Sequence, residues 1–262
     1  MPSIEVERYG GVGRITINRP HRLNAFDLET ALDFRRAGLQ LSRDTAVRAV
    51  VLRGLPGVFC SGADLKAIRQ GCDATHGLGA GFKAILEYLH SAISEIRRAP
   101  KPFIAAVDGI AAAGGFGIAM SCDLVIASGR ASFEWAYGKT GLTGAESASF
   151  FLPRLVGLRG AMELAFVNPR LNAREALRRG LITEVYDGEA FDAYAMEKAA
   201  QLAAGPTHAF AVAKELLNQA AGMDRLDAHL DRELQELVRA ADGAECAEGL
   251  TAFFEKRQPT YA

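Results

Sequence analysis

The sequence predicts an α/β fold in which a parallel sheet is flanked by helices and followed by a helical C-terminal region. In the first half, strand-like apolar segments alternate with longer crossover segments, an order typical of parallel sheets. Beyond Pro153 the pattern is helical almost throughout. The chain has 262 residues, 49% of them hydrophobic, which is enough for one large domain, or one domain and a small appendage, around a well-buried core.

Composition and charge exclude several classes of partner and site. The formal net charge is −1 and the basic residues are scattered, so we expect no nucleic-acid partner. No apolar run approaches the length needed to cross a bilayer, and the first residues lack the pattern of a secretory signal, so we expect no membrane association and a cytoplasmic protein. The four cysteines lack CxxC spacing and histidine partners, which predicts free thiols and no metal site.

The N-terminal elements are each predicted by a local pattern. Alternation in Ile4–Glu7 and Val12–Asn18, on either side of a Tyr-Gly-Gly turn, predicts an opening hairpin. Asp27 is a suitable N-cap for a helix that runs to about Ser42 and has one apolar side. The short apolar run Val47–Leu52 predicts a buried strand.

The middle of the chain begins with a polar, glycine-rich segment. Gly71–Gly81 predicts a mobile loop over the functional site. Phe82–Arg97 is predicted to be helical, and two prolines end this helix before the strand Phe103–Val107. Six helices are predicted in the C-terminal part: Arg159–Phe166, Ala173–Gly180, Glu189–Ala204, Thr207–Ala220, Arg225–Ala240 and Ala244–Phe254.

The most informative stretch, Ile104–Asp123, joins an apolar strand-like run to a buried helix. The strand enters a turn at Asp108-Gly109, and small residues then lead to the pair Gly114-Gly115. Glycines at a helix start let a ligand approach the backbone, and the free N–H groups there favour negative charge. This layout is typical of an oxyanion hole, although the same turn also suits tight strand-to-helix packing without a ligand.

Residues Phe59–Leu65 have the same character. A buried strand ends, small residues turn the chain, and Asp64 opens a helix. If both turns lie at one edge of the sheet, the N–H groups of Ala63 and Gly114 converge on one oxygen. Two backbone donors on a thioester oxygen would stabilise an enolate, and the loss of one such donor typically costs about 3 kcal/mol of barrier.

Five segments distributed over the chain carry a family resemblance: NRPHRLNAF (18–26), FCSGADLKAI (59–68), KPFIAAVDGIAAAGGFGIAMSCDLVIAS (101–128), FFLPRLVG (150–157) and LNAREALRRGLITEV (171–185). On these motifs the chain resembles the crotonase (enoyl-CoA hydratase/isomerase) superfamily from end to end. The resemblance implies a crotonase-type ββα-superhelix core in residues 1–200 and a helical C-terminal trimerisation region in residues 201–262. It also implies homotrimers or dimers of trimers, and acyl-CoA thioester substrates, with coenzyme A as part of the substrate and no separate cofactor.

The resemblance assigns roles position by position. Ala63 and Gly114 are the two oxyanion donors. Arg22 and Leu23 lie where the family's strand-end loop contacts the CoA nucleotide. Lys256 resembles basic residues that reach CoA phosphates, often from a neighbouring subunit, and for each basic residue a solvated surface charge is the alternative. The other substrate-binding residues belong to the turn and helix that line the adenine and pantetheine, or to the acyl pocket: Ser61, Gly62, Asp64, Leu65, Trp135 and Tyr137.

Two positions depart from the family pattern. Hydratases of the family use two glutamates, one to activate water and one to protonate the α-carbon. Gly117 and Tyr137 occupy those positions here, so ordinary hydration is hard to support. Isomerases and aryl-CoA dehalogenases of the family carry a single carboxylate slightly further on, at a position that aligns with Ala145 and is followed here by Glu146. Some hydratase-like sequences of the family carry GLSGAD, which matches GLTGAE here and places the acid at Glu146. Glu146 is the predicted acid/base, and the alternative is a carboxylate at a helix N-terminus that only complements the dipole.

Three further polar residues are weaker candidates. Alternation places Glu134 on the side opposite to Phe133 and Trp135, away from the acyl pocket. His90 matches a histidine that takes part in hydrolysis in the dehalogenase branch, but an isolated helical histidine is more often structural. Asp123 is expected to orient the junction between a helix and the next strand.

Together these features predict an acyl-CoA enzyme that stabilises a thioester enolate. The leading hypothesis is enoyl-CoA isomerase-like proton transfer through Glu146 alone, because one carboxylate can remove and return the same proton. Enoyl-CoA hydratase activity, with water positioned by Glu146 or Glu134, is one alternative. A CoA-ester-binding homologue that has lost catalysis is the other.

Overall fold

The computed structural model describes residues 2–72 and 77–261. Its strands are β1 (Ile4–Tyr9), β2 (Val12–Ile17), β3 (Ala49–Gly54), β4 (Val58–Cys60), β5 (Phe103–Val107), β6 (Ile110–Ala112), β7 (Leu124–Ser128), β8 (Ser132–Glu134), β9 (Leu171–Asn172) and β10 (Glu184–Tyr186). Its α-helices are α1 (Leu28–Arg43), α2 (Leu65–Gly71), α3 (Leu78–Arg98), α4 (Gly114–Ser121), α5 (Ala148–Phe166), α6 (Ala173–Arg178), α7 (Phe191–Ala204), α8 (Thr207–Ala220), α9 (Leu226–Ala241) and α10 (Ala244–Glu255).

The strands form two sheets. The larger has the spatial order β1-β2-β3-β5-β7-β10, and the smaller has the order β4-β6-β8-β9. β1 and β2 make the predicted antiparallel hairpin, with Ile4 opposite Ile17. The other neighbours in the larger sheet run parallel, joined by crossovers, which confirms the predicted α/β class.

Successive parts of the chain repeat one unit, which consists of a strand in the larger sheet, a strand in the smaller sheet and a helical segment. β3 and β4 are followed by α2 and α3, β5 and β6 by α4, and β7 and β8 by α5. The predicted crotonase-type ββα superhelix is therefore confirmed, and so is a helical C-terminal region. The boundary between residues 200 and 201 stays a prediction, and it lies inside α7.

The central strands of the larger sheet, β3, β5 and β7, are buried on both faces, as expected for parallel strands. Side chains alternate along β3, so that Val50 and Leu52 belong to the core cluster shared with α1 and α3. Ala49 and Val51 point the other way and join a second cluster with the small side chains of α7.

Local signals explain the N-terminal elements. The Asp27 carboxylate accepts a hydrogen bond from the Thr30 N–H at 2.9 Å, which confirms the predicted N-cap of α1. β3 begins at Ala49 rather than at Val47. The Val47 N–H closes a turn onto the carbonyl of Asp44, so this residue precedes the ladder.

The prediction of a mobile loop over Gly71–Gly81 is wrong at both ends of this segment. Gly71 ends α2 and Leu78 begins α3, while residues 73–76 lie outside the described residues. The Asp242 carboxylate accepts a hydrogen bond from the Gly79 N–H at 2.8 Å and so caps α3. A Cβ at residue 77 would lie 2.5 Å from the same carboxylate, so glycine serves close approach there rather than mobility.

The predicted C-terminal helices are all present, and one of them is longer than predicted. α5 begins at Ala148 rather than at Arg159, and it is kinked at Gly157, where φ is +72°. Pro153 and Gly157 interrupt the sequence pattern, so only the part beyond the kink was predicted. Among the described residues, no helix combines the length and apolar character needed to cross a bilayer.

Candidate active site

A cavity of about 460 Å³ lies where the turns after β4 and β6 meet the segment that leads into α5. Side chains of α9 and α10 cover it. Most of the predicted site residues line this cavity: Arg22, Leu23, Ser61, Ala63, Asp64, Leu65, Gly114, Tyr137 and Glu146. Gly62, Trp135 and Lys256 do not line it.

The two glycine-containing turns pack backbone against backbone. Gly62 has a φ of +97°, and a Cβ there would lie 3.1 Å from the amide nitrogen of Gly114. A Cβ at Gly115 would lie 2.7 Å from the carbonyl carbon of Cys60. Only residues without a side chain allow this approach, which brings Ala63 and Gly114 to the same edge of the cavity.

Both candidate donors have free N–H groups. The Phe26 N–H donates to the carbonyl of Gly62 at 2.8 Å, and the Asp64 N–H donates to the carbonyl of Phe26 at 2.8 Å, so the Ala63 N–H between them points away from Phe26. Gly114 is the first residue of α4 and has no intrahelical acceptor. Within residues 2–72 and 77–261, neither of these N–H groups donates to a protein acceptor.

Ala113, the residue before α4, has an unusual backbone conformation. Its φ is +47° and its ψ is −120°, a combination that residues with a side chain rarely adopt. The Ala113 N–H donates to the carbonyl of Glu134 at 3.1 Å, which ties the turn to the end of β8. Such strained residues persist where the surrounding structure holds them, and they cluster at functional sites.

The Glu146 carboxylate lies beside Gly114. It is 3% exposed, and a Cβ at Gly114 would lie 2.7 Å from its Oε1. The Tyr137 hydroxyl lies 2.5 Å from its Oε2. Burial raises the pKa of Glu146 to about 7, the Tyr137 hydrogen bond acts in the opposite direction, and the charge of Glu233 adds to the increase.

The Tyr137 hydroxyl has two acceptors and one hydrogen. It lies 2.9 Å from the carbonyl oxygen of Ala145 as well as 2.5 Å from Glu146. When Glu146 is ionised, Tyr137 can donate to the carboxylate. When Glu146 is protonated, the acid can donate to the tyrosine oxygen while Tyr137 donates to Ala145. Both protonation states of Glu146 are therefore hydrogen-bonded.

The mouth of the cavity carries the predicted basic residue. Arg22 is partly exposed, and its Nε lies 4.0 Å from Asp64 Oδ2. Asp64 itself caps α2 by accepting from the Ala67 N–H at 3.0 Å, and it also accepts from Arg19 at 3.3 Å. Asp64 thus orients α2 and its arginine neighbours, while the outer part of Arg22 stays accessible to an anion.

Two predicted contacts lie elsewhere. The indole of Trp135 packs against Gly144, where a Cβ would lie 2.6 Å from the ring Cζ2, and meets the Tyr137 ring edge-to-face at 5.2 Å. Trp135 thus supports Tyr137 from behind instead of lining the cavity. Lys256 is an exposed residue that ends α10 with a φ of +56°, outside the cavity of its own chain.

Glu134 faces the cavity, contrary to the prediction. Side chains do alternate at this strand end, but Glu134 rather than Trp135 points inward. Its carboxylate pairs with Lys139, which also lines the cavity, and accepts from Asn168 Nδ2 at 3.2 Å. The apolar lining also includes residues that the sequence did not single out: Phe82, Leu142, Leu237, Phe253 and Phe254. Helical spacing was the available signal for all of these except Leu142, which lies between helices.

The remaining candidates have structural surroundings. His90 is buried behind the site, does not line the cavity and lies 3.9 Å from a Glu233 oxygen. Asp123 sits between α4 and β7, as expected, and accepts from the Phe103 N–H at 2.8 Å. In the described part of the chain, no group of three or more His, Cys, Asp or Glu side chains is arranged to hold a metal ion.

Comparison with known proteins identifies the family of this chain. The family model described as enoyl-CoA hydratase/isomerase matches residues 7–262. A 4-chlorobenzoyl coenzyme A dehalogenase-2 from Arthrobacter sp. is 33% identical over 259 residues, which cover 99% of this chain and 93% of the relative. The 1,2-epoxyphenylacetyl-CoA isomerase of Escherichia coli (strain K12) is 34% identical over 251 residues, which cover 96% of this chain and 95% of the relative.

Solved structures give the same result. The crystal structure of an enoyl-CoA hydratase from Mycobacterium avium subsp. paratuberculosis K-10 is 32% identical, with a TM-score of 0.89. The match covers 100% of this chain and 99% of that one. The chain therefore belongs to the enoyl-CoA hydratase/isomerase family and is an enzyme of that family.

Proposed function

We propose that the protein isomerises an enoyl-CoA thioester by moving a proton along the acyl chain through an enolate. The observation that supports this best is the buried carboxylate of Glu146, which lies beside Gly114 in the cavity and pairs with no cation in the described part of the chain. Coenzyme A enters as part of the substrate, and no separate cofactor is required. The dehalogenase and isomerase among the relatives are both named for acyl-CoA substrates, which agrees with this substrate class.

The proposed reaction has two proton transfers. The thioester carbonyl oxygen accepts hydrogen bonds from the N–H groups of Ala63 and Gly114, and Glu146 removes a proton from the acyl chain. The electron pair of the broken C–H bond shifts onto the thioester oxygen, where the two donors stabilise the negative charge. The carbonyl then re-forms as Glu146 returns its proton to a carbon two positions away, which moves the double bond.

The pKa of Glu146 suits both steps. A value of about 7 means that the carboxylate is a stronger base than an ordinary glutamate, while its conjugate acid still releases a proton near neutral pH. Tyr137 can hold the carboxylate in both protonation states. The partly exposed Arg22 is positioned to bind a phosphate of coenzyme A at the cavity mouth.

Glu146→Gln tests this proposal. The variant keeps the size of the side chain but removes the base, so we expect kcat for the conversion of a 3-enoyl-CoA into the conjugated 2-enoyl-CoA to fall about 10³-fold. Binding of a saturated acyl-CoA, measured by calorimetry, should be unchanged. Glu236→Gln on the exposed side of α9 is the matched control. Retained isomerase activity in Glu146→Gln, or binding without turnover in the unmodified protein, would contradict the proposal.

One observation favours hydration as a second candidate. Glu134 lines the same cavity as Glu146, so a pair of carboxylates is present, although Glu134 is already paired with Lys139. Hydratases need one group to activate water and another to protonate carbon. Efficient hydration of crotonyl-CoA that is lost in both Glu134→Gln and Glu146→Gln would favour this reaction over isomerisation.

We also propose that the chain forms a homotrimer or a dimer of trimers in the cytoplasm. Large apolar side chains are exposed on α8 and on the part of α5 beyond its kink: Leu158, Met162, Phe166, Val212, Leu216 and Leu217. Surfaces of this kind are commonly covered by a partner. Cys60, Cys122 and Cys246 form no disulfide bond within the described residues, which agrees with a reducing compartment. Light scattering after gel filtration tests the assembly, and a monomer at micromolar concentration would contradict it.

A further inference from the structure

Glu233, on α9, lies behind the candidate acid/base and does not line the cavity. Its side chain is 4% exposed. The carboxylate accepts hydrogen bonds from the Ser147 N–H at 2.8 Å, from the Ser149 N–H at 3.2 Å and from the Ser149 hydroxyl. These donors belong to the residues that immediately follow Glu146, at the start of α5.

The backbone at this point is held in an unfavourable conformation. Glu146 and Ser147 both have positive φ, at +49° and +65°. Residues with a side chain rarely adopt the left-handed region, and two in succession require support from the surroundings. The Ser147 side chain makes no capping hydrogen bond to its own helix, and the N–H groups of Ser147 and Ser149 donate to Glu233 instead.

We propose that Glu233 is a positioning residue: it caps α5, holds the left-handed turn that presents Glu146 beside Gly114, and keeps a negative charge behind the Glu146 carboxylate. This inference rests on the proposed role of Glu146. The charge makes proton uptake by Glu146 more favourable, and the cap fixes where that proton is exchanged.

Other titratable groups also face this pair. Glu146 is approached by the Tyr137 hydroxyl, by the Cys60 thiol on β4 and by Glu233. Glu233 is approached by His229 from its own helix, with 3.5 Å between Nε2 and Oε1, and by His90 from α3 at 3.9 Å. Asp231 and His229 in turn influence His90, whose pKa is lowered mainly by burial. Of these groups, Glu233 contacts the turn through the Ser147 N–H, and His229 Nε2 lies 2.7 Å from the Ser149 hydroxyl oxygen.

The decisive variant is Glu233→Gln, because it removes the charge but keeps an oxygen that can accept from the Ser147 N–H. We expect the acidic limb of the kcat/KM profile to move about half a unit to one unit toward lower pH. At pH 6, kcat/KM divided by its maximal value at higher pH then rises about three- to fivefold, because it follows the ionised fraction of Glu146. Glu236→Gln removes the same charge from the same helix without touching the turn, so its profile should match that of the unmodified protein.

Two further variants separate charge from geometry. Ser149→Ala removes one hydrogen bond and keeps the carboxylate, so its acidic limb should stay in place. Glu233→Ala removes charge and cap together and should lower kcat more than KM changes, in a protein whose circular dichroism still shows a folded chain. If Glu233→Ala does not fold, the pH profile of Glu233→Gln still tests the positioning role of Glu233.

The outcomes are distinguishable. An unmoved acidic limb in Glu233→Gln, with Glu146→Gln inactive, overturns the positioning role and leaves the proposed function intact. An active Glu146→Gln overturns the proposed function, and this inference with it. An acidic limb that moves in Glu233→Gln, but neither in Glu236→Gln nor in Ser149→Ala, supports the proposal.

Discussion

The backbone of Glu146 fills the space next to Gly117. A Cβ at Gly117 would overlap the carbonyl oxygen of Glu146 and would lie 3.0 Å from its carbonyl carbon. Gly117 is the position where the sequence resemblance leads one to expect a hydratase glutamate. A glutamate at residue 117 is therefore incompatible with the present position of the Glu146 turn, because both would occupy the same volume.

Gly117→Ala tests this relationship. The added methyl group meets backbone, which cannot rotate away, so we expect the Glu146 turn to shift, the free energy of unfolding to fall by about 1–3 kcal/mol and isomerase activity to be lost. Denaturant unfolding and steady-state kinetics measure both effects. Gly38→Ala in α1 is a matched control, since a Cβ there has no neighbour within 4 Å and alanine favours a helix. Equal behaviour of the two variants would show that Gly117 is not tightly enclosed.

Tyr137→Phe should move the pH profile in the direction opposite to Glu233→Gln. The Tyr137 hydroxyl stabilises the ionised form of Glu146, so its removal raises the pKa of Glu146 above its value of about 7. A base with a higher pKa becomes active at higher pH, and we expect the acidic limb of kcat/KM to move up by about one unit. A profile that moves down, or not at all, would show that Tyr137 does not act on Glu146.

Glu146→Gln should also stabilise the fold at neutral and alkaline pH. The pKa of Glu146 is about 7 in the folded chain and near 4.5 in an unfolded one, so the unfolded state releases this proton first. As pH rises from 4.5 to 7, the free energy of unfolding of the unmodified protein falls by about 3 kcal/mol relative to that of the glutamine variant. Above pH 7 the difference between the two proteins is constant. Melting temperatures of both proteins between pH 4.5 and pH 8.5 measure it. A difference that does not grow with pH would show that Glu146 titrates as an ordinary glutamate.

Arg22→Ala should weaken substrate binding without changing the chemistry. Its guanidinium lies at the cavity mouth and is partly exposed, far enough out to meet a phosphate but not the reacting carbons. We expect KM for an enoyl-CoA to rise about tenfold, with kcat unchanged, and the effect to shrink as salt is added. Arg36→Ala on the exposed side of α1 is the control. A drop in kcat alone would place Arg22 in a different role.

The fold and half of the candidate site could be predicted from sequence because they depend on local patterns. The short apolar run of β3, the Asp27 cap and the small residues around Ala63 and Gly114 are all visible within a few positions. The orientation of Glu146 was not accessible in this way. It depends on two consecutive left-handed residues and on Glu233, which lies 86 positions after Ser147.

The errors have physical reasons as well. β8 has only three residues, too few to fix which side of the strand faces the cavity. The prediction therefore placed Trp135 in the cavity and Glu134 outside it, which is the reverse of the observed arrangement. The glycines at 77 and 79 resemble a mobile loop, yet they serve contact with Asp242, which is far away in the chain. Contacts between residues so far apart in the chain cannot be predicted from local patterns in a single sequence.

The long separation between Ser147 and Glu233 also has a consequence for synthesis of the chain. During synthesis the turns that carry Ala63 and Gly114 are made before α9. Until α9 and α10 dock, the turn that carries Glu146 lacks its cap, and the cavity lacks its cover from Leu237 and Phe254. The anion-binding and the proton-transferring parts of the proposed site therefore depend on different parts of the chain.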